Sequence, residues 1–115
     1  MANRNGEHSN HVQETIKGIV AKLVAGYEPQ KVILFGSHAR GDPRPDSDID
    51  IFIIKDTEER IIDRCVEARR IVSDPNRFIG LELVVLTPDE VSRRVAMGDQ
   101  FICEVLDRGK VLYAS

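Results

Sequence analysis

Two short apolar runs, Val32-Ile33-Leu34-Phe35 and Ile51-Phe52-Ile53-Ile54, stand on either side of a polar loop, and the second run is approached through Asp48-Ile49-Asp50. Each run is too brief for a helix and is bounded by turn residues, so both read as strands of a sheet. Aspartate is disfavoured in strands, yet two of them open this one at i and i+2, which puts both carboxylates on the same face. At roughly 7 Å they repel by about 2 kcal/mol at an effective dielectric near 20. Unrelieved, that repulsion pushes one of the two pKa values up. A divalent cation such as Mg²⁺ or Mn²⁺ removes the conflict, because it takes hard oxygen ligands and is completed by phosphates and water.

The other end of the loop suits an anion. Gly36 and Ser37 follow the first strand directly. A glycine there lets backbone approach a ligand closely, and a helical turn after it aims free N–H groups at a phosphate. Arg40 adds a fixed cationic fork. Taken singly, each element also suits a solvated turn, since Asp, Ser, Pro and Gly favour turns for local reasons and Ser47 and Asp48 can cap. Ten residues separate Ser37 from Asp48. In this order between two strands they read together as a phosphate grip and a metal grip.

The rest of the chain supplies the frame. Residues 1–10 are polar and are expected to be disordered, leaving 11–115 as a single domain. From about His11, Val12, Ile16, Ile19, Val20, Leu23, Val24 and Tyr27 recur at helical spacing until Gly26 and Pro29 stop the pattern. Asp56 with Glu59 predicts a capping box for a second helix whose apolar face is Ile61, Ile62, Cys65, Ala68 and Val72. Ser73-Asp74-Pro75-Asn76 stops it, and Ile79 to Leu86 returns as a third strand holding one acid, Glu82. Thr87, Pro88 and Glu90 predict N-cap, N1 and N3 of a short helix carrying Val91, Val95 and Met97. A helix over Gln100 to Asp107 and a strand over Val111 to Tyr113 close the chain.

A strand–helix–strand order implies a right-handed parallel crossover, so the second and third strands begin at the same edge of the sheet. Asp48, Asp50 and Glu82 all lie at strand starts. If the first strand runs antiparallel to the second, its end at Gly36 reaches that edge as well. Glu82 can also be read as an edge-strand charge that discourages aggregation. Its neighbours Leu81, Leu83, Val84 and Val85 are apolar on both faces, however, so the strand is expected to be interior and Glu82 to belong to the site.

Composition bounds the class. At 115 residues, 42% hydrophobic and 30% charged, the chain makes one domain with a modest core. A formal net charge of -3 argues against a general nucleic-acid binder. Cys65 and Cys103 lie far apart with no C-x-x-C, so they are expected as buried thiols in a reducing, cytoplasmic protein. No apolar run approaches the roughly 18 residues of a membrane span.

Gly36-Ser37, the ten-residue spacer and Asp48-Ile49-Asp50 opening an apolar strand resemble the signature of the DNA polymerase β-type nucleotidyltransferase superfamily, particularly its minimal MNT members. The resemblance extends to Leu81–Leu86 with the Thr87-Pro88 helix start and to Gly109-Lys110-Val111-Leu112-Tyr113, covering most of the chain after about residue 12. It implies an α/β (α+β) fold: a small mixed sheet of about four strands flanked by helices. By residue-wise match, Asp48 and Asp50 would bind two Mg²⁺ or Mn²⁺ ions that carry the triphosphate. Glu82 would complete the second ion and help deprotonate an acceptor hydroxyl. Gly36 and Ser37 would hold the β- and γ-phosphates, with Arg40 a further phosphate contact. One departure stands out: the family usually has Asp where this chain has Glu82, and an extra methylene can move an ion by about an ångström.

The resemblance further implies ATP as donor, AMP as the transferred group and a helical HEPN-domain protein as acceptor within a toxin–antitoxin module. Larger relatives append a domain to bind the acceptor, and no room for one is expected after Ser115. Two other readings remain: a binding module that neutralises its partner by contact after catalysis has lapsed, and a small-molecule nucleotidyltransferase completed by homodimerisation.

Overall fold

The computed structural model describes the backbone of residues 4–115 and the side chains of residues 11–115. In chain order the elements are α1 (Arg4–Gly26), β1 (Lys31–Phe35), α2 (Ser37–Arg40), β2 (Ile49–Ile54), α3 (Ile61–Val72), β3 (Leu81–Leu86), α4 (Pro88–Ala96), α5 (Gln100–Arg108) and β4 (Lys110–Ala114). The helical stripe read from the sequence packs as expected, with Val12, Ile16, Ile19, Leu23 and Tyr27 all buried. The helix starts earlier than His11, at Arg4. Of the N-terminal stretch expected to be disordered, residues 1–3 and the side chains of 4–10 lie outside the described residues.

The strands form one sheet in the order β3-β2-β1-β4, with β1 antiparallel to both β2 and β4 and β2 parallel to β3. Alternation divides their side chains between two layers. Val32, Leu34, Ile49, Ile51, Ile53, Leu83 and Val85 pack with α1 and α3, whereas Ile33, Phe52 and Leu86 pack with Val91, Ile102 and Val105 of α4 and α5. Helices therefore cover both faces, which is why β2 reads as an almost continuous apolar run. Phe52, Ile49, Ile51 and Ile53 are fully buried, each side chain contributing about 1.5–3 kcal/mol of transfer free energy.

Several expectations change. β3 begins at Leu81 rather than Ile79 and lies at the edge of the sheet, not inside it. Its run is apolar on both faces because helices flank both faces even at the edge. The second predicted helix, α3, starts at Ile61 without a side-chain cap, since Asp56 donates its N–H to Gln30 and Glu59 donates its own to Thr57. Its buried stripe is Arg64, Ala68 and Val72, leaving Ile61 47% and Ile62 66% exposed. Arg64 claims the inner position because its guanidinium donates to Glu90 at 2.6 Å and to the Glu59 carbonyl at 2.7 Å. Val95 and Met97 lie largely on the surface, and of the two free cysteines Cys103 is exposed and Cys65 half-buried. The Thr87–Glu90 capping box is present in both directions, at 3.2 and 2.8 Å.

Candidate active site

β1 hands the chain to α2 through Gly36, whose φ of 77° lies in the left-handed region. Glycine is required there twice over: a Cβ at position 36 would sit 2.2 Å from Asp50 Oδ2. The Asp50 carboxylate thus rests directly against the turn that starts α2. Within α2 the N–H groups of Ala39 and Arg40 donate to the Gly36 carbonyl, while the first amides of a helical turn, here Ser37 and His38, have no partner in the turn itself. Gly41, at φ 83°, ends the turn after a single revolution.

The loop returns to β2 under restraint. His38 Nε2 lies 3.1 Å from the Ser47 carbonyl, to which it donates, and Arg44 N–H donates to Ser47 Oγ at 2.8 Å. The imidazole of His38 therefore ties α2 to the residue before Asp48. Asp48 meets a second glycine: a Cβ at position 80 would come 2.1 Å from its Oδ1, and Ile49 N–H donates to the Gly80 carbonyl at 2.8 Å. Gly80 was not legible as a site residue. Its only signal is a glycine immediately before the third strand, and that becomes meaningful once β3 is known to pair in parallel with β2.

Register aligns the remaining groups. Phe35 pairs with Asp50 across the antiparallel ladder, and Asp50 pairs with Glu82 across the parallel one. The end of the first strand and the starts of the second and third thus share one edge. Burial, reinforced by Asp48 and then Glu82, pushes the Asp50 carboxyl above its usual range, while His38 and Arg40 pull it partly back. Glu82 sits on the same sheet face, but its side chain is 62% exposed and Oε2 lies 3.8 Å from Arg69 Nη2. Arg40 is about half exposed, with Nε 3.4 Å from Asp42. Beside Gly36 and Arg40 a cavity of about 220 Å³ opens between α2 and α5. Its walls include Phe35 and Phe101, whose rings meet edge to face with centroids 5.4 Å apart.

Among the described residues, no three His, Cys, Asp or Glu side chains close into a ready-made metal cage. The donor set nevertheless suits a hard cation completed by its substrate. Two carboxylates on one strand face, one of them poorly solvated, offer charge to an ion while leaving coordination positions for phosphate oxygens. Glu82 joins them only if its side chain turns from Arg69 toward Asp50.

A mixed α+β sheet that brings a glycine turn and an Asp-x-Asp strand start to one edge is a scaffold for phosphoryl-group chemistry. Residues 14–112 match the family described as "Nucleotidyltransferase domain", and the chain belongs to that family. A Methanocaldococcus jannaschii protein named "putative protein adenylyltransferase" is 33% identical over 104 residues, which span 88% of this chain and 97% of the relative. A crystal structure of a "putative nucleotidyltransferase" from Sulfolobus solfataricus superposes with a TM-score of 0.62 at 26% identity, covering 81% of this chain and 82% of that one. Nucleotidyl transfer is thus the class of reaction. Among the described residues no helix is long and apolar enough to cross a membrane.

Proposed function

We propose that the protein transfers AMP from ATP to a hydroxyl group on a partner protein in the cytoplasm. The observation that carries this reading is the row Phe35–Asp50–Glu82, one residue from each of three adjacent strands, with Gly36 and Gly80 each seating one carboxylate. The relative named as a protein adenylyltransferase supports AMP as the group and a protein as the acceptor.

The amides of Ser37 and His38, with the guanidinium of Arg40, hold the β- and γ-phosphates. Asp48 and Asp50 hold Mg²⁺ or Mn²⁺, and Glu82 completes a second ion. When bound, such ions neutralise the triphosphate and stabilise the attacking and leaving oxygens of an in-line displacement. The acceptor oxygen attacks the α-phosphorus, the bond from that phosphorus to the bridging oxygen breaks, and pyrophosphate leaves. Glu82 takes the hydroxyl proton. Positioning and charge neutralisation provide most of the acceleration in such a reaction, and little covalent chemistry is asked of the protein.

The acceptor we favour is a helical HEPN-domain protein, which this chain modifies as the antitoxin of a pair. This part rests on the likeness of Gly36 to Asp50 and of the strand from Leu81 to the minimal MNT proteins. Incubating the chain with α-labelled ATP, Mg²⁺ and such a partner should label the partner. No label with wild type, or equal label with Asp48→Asn, overturns the reading. The contact of Glu82 with Arg69 favours one alternative, a module that neutralises its partner by binding alone. Calorimetry separates the two: tight partner binding without metal-dependent ATP affinity selects the contact-only module.

A further inference from the structure

Arg69 lies on α3, which packs against the face of the sheet opposite to Glu82. Its side chain nonetheless reaches around the free edge of β3, where Nη1 donates to the Leu81 carbonyl at 3.1 Å and Nη2 lies 3.8 Å from Glu82 Oε2. The first contact satisfies an edge-strand carbonyl that has no ladder partner. The second pairs the third carboxylate with a guanidinium at the rim. Length matters here, because an aspartate at position 82 would be one methylene short of this reach. A glutamate can swing between two stations, the guanidinium at the rim and an ion beside Asp50.

We propose that Arg69 is a positioning residue that latches Glu82 outward until a second divalent ion displaces it. Loading of that ion is then coupled to breaking one ion pair. The inference rests on the reading of Glu82 as a ligand of the second ion. The pair is about half exposed on both sides, and exposed pairs are weak. The latch therefore lowers the affinity of the second ion by only about two- to five-fold, a bias that loading can overcome. It also predicts where the difference appears: the ion held by Asp48 and Asp50 alone is untouched.

The test is a Mn²⁺ titration followed by electron paramagnetic resonance, with a non-hydrolysable ATP analogue present and no acceptor, so that turnover plays no part. Wild type should take two ions of unequal affinity. Arg69→Gln should tighten the weaker ion two- to five-fold and leave the stronger unchanged. Arg69→Lys, which keeps a charge near Glu82, should stay close to wild type. Arg69→Met, which keeps the stem along the edge strand, should match Arg69→Gln and takes its place if a melt shows the Gln variant unfolded. Glu82→Gln should lose the weaker ion, and adding Arg69→Gln to it should change nothing more. If Glu82→Gln keeps both ions, Glu82 is no ligand and the catalytic reading of it fails along with the latch. If the weaker ion depends on Glu82 but does not tighten in Arg69→Gln or Arg69→Met, the latch alone is wrong and the function proposed above stands.

Discussion

Gly80→Ala isolates the geometry of the candidate site from its composition, because it alters none of the carboxylates. The new Cβ would lie 2.1 Å from Asp48 Oδ1 and 2.8 Å from its Cγ. To regain ordinary contact the oxygen has to retreat by more than an ångström. The neighbour is the end of a side chain, so it yields by rotation, and the expected stability cost stays near the lower end of the about 1–3 kcal/mol typical of overpacking. Catalysis is less forgiving, since a displacement of about 1 Å in a positioned reaction costs on the order of 100-fold. The assay compares initial rates of AMP transfer with melting temperature for Gly80→Ala and for Gly98→Ala. Gly98 has φ 76° and open space around its would-be Cβ, so alanine there strains the backbone by about 1–2 kcal/mol without touching Asp48. Gly80→Ala should lose rate with little loss of stability, and Gly98→Ala should do the reverse. Equal rates for wild type and Gly80→Ala, or equal damage to rate in both variants, would refute the seating of Asp48 on Gly80.

Asp50→Asn should stabilise the apo protein at neutral pH. A carboxyl whose folded pKa is raised above the ordinary 3.8 penalises the native state once ionised, so the gain is absent below that value, grows as pH rises through the raised one and then levels off; urea midpoints across pH 3 to 8 measure it. Millimolar Mg²⁺ should raise the melting temperature of wild type more than that of Asp50→Asn, because binding to the folded state alone stabilises it. Arg64→Met should cost about 2–4 kcal/mol in chemical denaturation, toward the lower part of the range for broken buried pairs because Glu90 keeps some solvent contact. Arg64 holds the Glu90 carboxyl below its usual range, so the stability it contributes is present above the ordinary 4.5 and lost as pH falls through the depressed value. The acid limb of the stability curve should accordingly be shallower in Arg64→Met than in wild type.

The parts of this molecule legible in the sequence are those set by local pattern. Val12 to Tyr27 declare a helix by spacing, Thr87 and Glu90 declare a helix start by hydrogen-bonding chemistry, and Asp48-Ile49-Asp50 declares a shared face by alternation. Each depends on residues a turn or two apart. Arg64 is not legible as a core residue, because its burial depends on Glu90, which lies 26 residues away, and a lone arginine otherwise reads as surface. Ile61 and Ile62, in the first turn of α3, face outward, whereas Ala68 and Val72 of the expected stripe are buried. β3 reads as interior in the sequence because apolar residues on both faces look alike whether a strand has two ladder partners or one. Gly80 was silent for a related reason, since a missing side chain has meaning only beside the atom that fills its place.

The parallel pairing of β2 with β3 also sets when the candidate site is assembled. Asp48 is seated by Gly80, and Asp50 faces Glu82, only after a strand some thirty residues further along has crossed over and docked. Such long-range closure is among the slower events of folding. A nascent chain released only as far as β2 already carries Gly36, Ser37, Asp48 and Asp50, yet it lacks the seat for Asp48 and the third carboxylate. On the function proposed above, an unfinished copy therefore has the loop residues of the site but not the strand that seats them.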